Sequence, residues 1–342
     1  TDGGGLNLFD LTTQSFSHFK HDPNNDNSLS GNRIWAILQY SPTELWVGTL
    51  ENGLNRFNLK TGKITRFRHN KNNKNSLSDD AIIHLFKDSQ QQIWIGTRNG
   101  LNRFNPATES FIRYYHDPQN KNSLSENFIL DIIEDKHQNL WISTYDHGIN
   151  RYAPHSNTYT RYRHIPDTPN SLSNDKSMYV LEASDGIIWI ATLGGGINRL
   201  NPKTGQFTHY NSTHGLVNNA IYAILEDDNG YFWLTSNGGI SKFDPVTENF
   251  VNFAITSGLQ SKEFNTGAYL KSSTGQFYFG GVNGFNVFNP NNIVNKNTAL
   301  KVTLTQLRLY NQPVSVTTIP TEKKDGINYT LDKAIYLTEE LV

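Results

Sequence analysis

Apolar and polar residues alternate with a period of two along most of the chain, in short runs separated by turn-rich segments. IWAILQY from residue 34, AIIHLFK from 81, FILDIIE from 128, MYVLEAS from 178 and AIYAILE from 220 are such runs. Each precedes a run centred on Trp. A third run opens on Gly: GLNRFN at 53 and 100, GINRYA at 148, GINRLN at 196, GISKFD at 239 and GFNVFN at 284, with GLNLFD at 5 as a further copy. A fourth closes the unit, as in ITRFRH at 64, FIRYYH at 111, YTRYRH at 159 and FTHYN at 207. Alternation of this kind marks half-buried strands, and a Gly between two of them supplies the positive φ of a tight hairpin turn.

The unit repeats. Trp46, Trp94, Trp141, Trp189 and Trp233 hold one slot, with Tyr278 in the same place, at spacings of 48, 47, 48, 44 and 45 residues. Four short strands, here a to d, per period of about 45 residues predict the blade of a β-propeller. A parallel β-helix has shorter coils, and helical repeats would space apolar residues by three or four. The expected fold is all-β, a β-propeller of four-stranded blades with about seven repeats over residues 1–293. In the first copy only strands c and d are present. Thr1 of TDGGGLNLFD stands where Thr49 stands in TLENGLNRFN, so the sequence is expected to be an excerpt cut inside a blade that another segment completes.

Composition narrows the function classes. Of 342 residues 36% are hydrophobic and 12% aromatic, enough for a substantial core and too much for a disordered chain. Net charge is −1, from 30 basic and 31 acidic residues, which disfavours nucleic acid and a polybasic membrane anchor as partners. Without cysteine there is no disulfide framework, thiolate nucleophile or sulfur-ligated zinc. No apolar run approaches the roughly 18 residues of a membrane span, so membrane attachment is expected only through segments outside these residues. The GGG runs at 3–5 and 194–196 lie between strands rather than before a helix, the wrong context for a phosphate loop.

The combination IWIGTRNGLNRFNP (93–106), with the linkers HDPNNDNSLSGN (21), HNKNNKNSLSDD (69) and HDPQNKNSLSEN (116), resembles the two-component regulator propeller repeat. The stretch 263–293 followed by VTLTQLRLYNQPV (302–314) is similar to a last propeller repeat running into a YYY domain, a β-sandwich, whose N-terminal part would occupy 301–342. The resemblance implies the periplasmic sensor region of a membrane-bound histidine kinase, hybrid two-component system or diguanylate cyclase. It implies a homodimer in the whole sensor and a soluble ligand for which oligosaccharides are the class to extrapolate from; no enzymatic activity and no cofactor are expected in these residues, which show no recognisable catalytic constellation. The chain departs from a whole member in lacking the first half-blade, in ending inside the YYY domain and in containing no output module.

In a four-stranded blade the d-to-a and b-to-c loops emerge on one face. Ligand-binding side chains are best sought there where copies disagree, because shared residues serve the blade itself. From the b-to-c loops these are Glu51, Arg98, Asp146 and His147; from the entry to strand a they are Asn32, Arg33, Trp35, Asp80, Asn127, Lys176, Tyr179, Asn219 and Glu263. Amides, carboxylates and cations beside aromatic rings suit hydrogen bonding to sugar hydroxyls and stacking on a ring face. The same residue types routinely cap turns and face water. The repeated Leu29, Leu77, Leu124 and Leu172 of NSLS read as pins for the linkers, and the recurrent Asn-Arg of strand c, such as Asn150-Arg151, as an outward structural ladder.

Other classes remain open at this point. There is no GxSxG elbow and no HExxH, and the repeated His21, His69, His116 and His164 sit at the outer edge of the blades, away from any common metal. Carboxylates such as Asp80, Asp146 and Glu263 can meet across a channel, and a propeller lyase resembling the streptogramin lyases shares the WIGT-like strand. A protein-binding or dimerisation propeller without a small ligand is the third reading, which an apolar patch on one face would favour.

Overall fold

The computed structural model describes residues 1–293 together with 307–309 and 312–314. The chain divides into two compact units, Thr1–Pro290 and Asn291–Val342. In the second, the described strands are one antiparallel pair, Leu307–Leu309 with Gln312–Val314. The rest of the segment expected to form a YYY β-sandwich, 301–342, lies outside the described residues.

The first unit opens with a hairpin of β1 (Leu6–Asp10) and β2 (Ser15–Phe19). Five four-stranded antiparallel sheets follow. They are β3 (Ile34–Ser41), β4 (Glu44–Thr49), β5 (Leu54–Asn58) and β6 (Ile64–Phe67); then β7 (Ile82–Lys87), β8 (Ile93–Thr97), β9 (Gly100–Asn105) and β10 (Ser110–Tyr114). Next come β11 (Ile129–Glu134), β12 (Leu140–Thr144), β13 (Ile149–Ala153) and β14 (Thr158–Tyr162), and β15 (Ser177–Glu182), β16 (Ile188–Thr192), β17 (Gly196–Asn201) and β18 (Gln206–Tyr210). The fifth is β19 (Ile221–Glu226), β20 (Phe232–Ser236), β21 (Gly239–Asp244) and β22 (Asn249–Phe253), and a three-stranded sheet of β23 (Phe264–Lys271), β24 (Phe277–Gly281) and β25 (Gly284–Phe288) ends the unit. Strands pair in sequence order within every sheet, and from β3 to β23 the first strand of each sheet packs on the first strand of the next, the arrangement of a β-propeller.

The Trp slot explains why the sheets stack. Trp46, Trp94, Trp141, Trp189 and Trp233 are all buried, each ring sandwiched between its own sheet and the following one. Four of the indole N–H groups find local acceptors: Trp94, Trp141 and Trp233 donate to Asp88, Asp135 and Asp227 at 2.8–2.9 Å, and Trp46 donates to Glu44. Leu29, Leu77, Leu124 and Leu172 are buried in the linkers. The repeated histidines close the same loops, since Nδ1 of His21, His69, His116 and His164 lies 2.7 Å from the carbonyl oxygen of Leu29, Leu77, Leu124 and Leu172 in turn.

One expectation is corrected here. The Asn of the strand-c Asn-Arg pair does not face outward: Asn55, Asn102, Asn150 and Asn198 are completely buried. Their side-chain oxygens accept the backbone N–H of Ser30, Ser78, Ser125 and Ser173 at 2.8–2.9 Å, pegging each linker to its sheet. Burial here costs little because the amide is bonded on both sides. Arg56, Arg103 and Arg151 do stay near the surface, their guanidinium groups about 6 Å over Phe67, Trp94 and Trp141.

Candidate functional site

A β-bulge interrupts strand a of all five complete sheets at the same place, where pairing skips Trp35, Ile83, Leu130, Met178 and Tyr222. A bulge re-aims the unpaired residue. Ile83, Leu130 and Met178 meet Leu50 from the first b-to-c loop, with Phe128, Leu193 and Tyr222 packed against them, so side chains from successive sheets converge at the ring axis. These apolar residues form a plug over part of the loop face, while Trp35 and Tyr222, at the same bulge position, line an open cleft that also holds polar side chains.

The predicted residues divide around this plug. Asn32, Asp80, Asn127 and Asn219 hold the loops. Their side-chain oxygens accept the N–H of His21, His69, His116 and Ser212 at 2.7–2.8 Å. Their carbonyls accept the N–H of Gly5, Gly53, Gly100 and Gly196. Asp175, at the same position, accepts from His164 N–H and receives Arg163 through two bonds of 2.8 and 3.0 Å. Burial works against its charge, but the Arg163 pair and the N–H hold its carboxyl below the ordinary range.

Arg33 is clamped between Asp2 and Glu51. Bonding to Arg33 holds the Asp2 carboxyl below the usual carboxylate range. Trp35 is 40% exposed, against 7–9% for Ile83, Leu130 and Met178 in the same repeat position. It lines a cleft of about 870 Å³ between the β3 end and the β23–β25 sheet, shared with Asp2, Glu263, Asn265 and Phe285. Arg98 is exposed on its loop.

Asp146, His147 and Lys176 come together on another part of the face. The Lys176 ammonium stands 5.4 Å over the Tyr145 ring, which is stacked on Phe128 at 5.0 Å. The backbone N–H of Asp146 donates to Glu126 at 2.8 Å, and His147 Nδ1 lies 3.6 Å from the same carboxylate. Tyr145, 38% exposed, was missed as a site residue. The signal was present: the matching b-to-c position holds Leu50, Arg98, Leu193 and Asn237 in other copies, so an aromatic there is the exception.

Tyr179 is the clear correction. It was expected beside the mouth but is buried under the plug, edge-on to Tyr269 with ring centroids 4.8 Å apart. The position follows the bulge, so its side chain turns into the sheet stack rather than toward the loops. Next to it lies Asp131, also buried, whose Oδ2 accepts Val180 N–H at 2.9 Å while Oδ1 stands 3.3 Å from His84 Nδ1 and 3.5 Å from the Tyr269 hydroxyl.

Burial raises the Asp131 carboxyl pKa above its ordinary value, opposed by His84, the Val180 and Ile132 N–H groups and the Tyr269 hydroxyl. A folded-state value above the unfolded one means a stabilising contribution that is complete below the unfolded value of about 3.9 and is lost as pH rises through the folded value. Asp131→Asn cannot ionise. Its melting temperature relative to the unsubstituted chain is therefore expected to climb as pH is raised from about 4. A difference that stays flat with pH would contradict a raised Asp131.

The family model described as two component regulator propeller matches residues 76–99, 123–146 and 215–238, each running from the linker before strand a through strands a and b. No curated protein matches the sequence. Among solved structures, the extracellular domain of a B. thetaiotaomicron protein assigned as a hybrid two component system is 24% identical with a TM-score of 0.64. The match covers 77% of this chain and 34% of that one, so the chain spans about a third of its length. Virginiamycin B lyase from Staphylococcus aureus is 16% identical with a TM-score of 0.56, covering 76% of this chain and 82% of the lyase. PorZ, a surface component of the type-IX secretion system of Porphyromonas gingivalis, is 15% identical with a TM-score of 0.57, covering 75% of this chain and 38% of PorZ. What the chain shares with all three is the β-propeller fold, built here from repeats of which three match the two component regulator propeller.

Proposed function

We propose that the chain is the extracytoplasmic ligand-sensing part of a membrane-bound signal-transduction protein, and that it binds a soluble ligand, an oligosaccharide by class, on the loop face of the propeller. The periplasmic location, the seven-repeat ring, a YYY sandwich relaying the signal, a homodimer and a kinase or cyclase output outside these residues belong to the same reading. The observation that carries it is the Tyr145 platform. The half-exposed Tyr145 ring, held by stacking on Phe128 with the Lys176 ammonium 5.4 Å from its centroid, presents an aromatic edge and a cation to solvent, and Asp146 and His147 set hydrogen-bonding groups beside it. These residues sit on loops that vary between copies, whereas the residues repeated in every copy are committed to the linkers.

Melting-temperature shifts against a panel of oligosaccharides test the ligand class, because only a ligand that prefers the folded state stabilises it. Tyr145→Ala is expected to weaken the ligand found by about tenfold or more, since aromatic anchors carry a large share of binding energy. Asp146→Ala should weaken it by less. Both side chains are exposed, so the melting temperature without ligand should stay within about 2 °C of the unsubstituted value. Unchanged affinity in both variants would remove the platform from the site, and a silent panel would remove oligosaccharides as the class.

A further inference from the structure

Beneath the plug, one carboxylate gathers inner strands from four different sheets. Asp131 is on β11, its partner N–H belongs to Val180 on β15, His84 is on β7 and Tyr269 is on β23. Tyr179, also on β15, completes the group through its edge contact with the Tyr269 ring. The sheets of β11 and β23 are not neighbours along the chain, since those of β15 and β19 intervene, so the Tyr269 hydroxyl reaches Asp131 across the axis. The cluster breaks the repeat. His84, Asp131 and Tyr179 occupy one position after the bulge, and the two other complete sheets hold Ala36 and Ala223 there, side chains too short to block the axis and without a titratable group.

We propose that His84, Asp131, Tyr179 and Tyr269 form a latch across the propeller axis that couples the loop face to the last sheet, β23–β25. Two features give it that role. His84, Asp131 and Tyr179 directly follow Ile83, Leu130 and Met178, three residues of the apolar plug, so a shift of the plug moves the latch. Packed interiors pass on such a shift because they repack between discrete arrangements instead of deforming continuously. The receiving sheet is held less fully than the four-stranded ones. It has three strands where five others have four, and Leu270, Phe285 and Val287 on it are exposed. Few buried contacts mark the part of a fold that opens first. The chain then runs from β25 into the second unit, which gives a shift in this sheet a covalent route onward. The direction of signalling rests on the loop-face ligand proposed above, whereas the latch itself is tested without one.

Hydrogen–deuterium exchange of the whole chain at neutral pH makes that test. Tyr269→Phe removes one hydroxyl and is expected to speed exchange in β23–β25 about tenfold while β3–β6 stays unchanged, as suits the loss of one buried hydrogen bond. Unchanged exchange in β23–β25, or uniform acceleration across all sheets, would overturn the latch. Should Tyr269→Phe fail to fold, Tyr179→Phe at the other end of the phenol pair is expected to act on the same sheet, and an effect confined to β15–β18 would overturn it equally. Leu130→Val trims the plug alone. It should raise exchange in β23–β25 as well as in β11–β14; a response limited to β11–β14 would refute coupling from plug to latch. None of these readings changes if oligosaccharides do not bind.

Discussion

Trp141→Ala is expected to lower the stability of the propeller by about 3–5 kcal/mol, the usual range for truncating a fully buried aromatic residue. Two sheets lose contacts at once. The indole is completely buried, stacks on Tyr162 of its own sheet with centroids 5.5 Å apart, and packs with Val180, Ile188 and Leu200 of the next. Its N–H donates to Asp135 Oδ2 at 2.9 Å, and that carboxylate also caps the a-to-b turn through the N–H groups of His137 and Asn139. Trp141→Phe separates the two contributions. It keeps most of the apolar contact, so its cost beyond the volume change reports the Asp135 bond, about 1.5–3 kcal/mol for a bond to a charged acceptor. Thermal and urea unfolding followed by circular dichroism measure both. A loss below about 1 kcal/mol for the alanine variant would mean that the sheets are held together by something other than the Trp slot.

Asn150→Ala is expected to cost about 2–3 kcal/mol although the residue is polar and small, because it strands buried partners. Its oxygen accepts Ser125 N–H at 2.9 Å, and its amide nitrogen donates to Ser125 Oγ at 2.9 Å and to the Ile142 carbonyl at 3.5 Å. Removing the side chain leaves a buried N–H without an acceptor and frees the linker that carries Leu124. Asn150→Asp is the informative companion. It keeps the acceptor for Ser125 N–H but turns a charge toward the Ile142 carbonyl in a site with no exposure, so it should be no more stable than the alanine variant. Exchange at the Ser125 amide, read by NMR, checks the mechanism: it should accelerate in Asn150→Ala more than amides in the neighbouring sheets. A neutral Asn150→Ala would return this residue to the surface role that the sequence first suggested.

That reversal shows where reading along the chain stops. Asn150 and Arg151 are adjacent in a strand, so period two requires that they face opposite sides. Nothing local says which of the two polar side chains goes inward. The choice falls on Asn because an amide can both accept from a linker N–H and donate to a neighbouring carbonyl, whereas a guanidinium only donates. A similar limit met the site residues. Asn32, Asp80, Asn127 and Asn219 were singled out for entering strand a with varied side chains, yet all four use an oxygen for one shared task that Asn and Asp perform alike. Variation between Asn and Asp was therefore not variation in role. Tyr145, in a loop whose other copies lack an aromatic, was the stronger departure and was legible.

The sequence by itself determined the blade: the period of two, the Trp slot, the Gly turns and the NSLS linkers are local or repeat at fixed spacing, and each copy reinforces the others. Only the tertiary structure decided what lies at the axis. The bulge in strand a redirects one residue per sheet, and this turns Ile83, Leu130 and Met178 into a plug and sends Tyr179 beneath it to Tyr269. Contacts such as that between Asp131 and Tyr269, 138 residues apart, arise because the sheets curve around a common axis, and no periodicity along the chain encodes which side chains then meet.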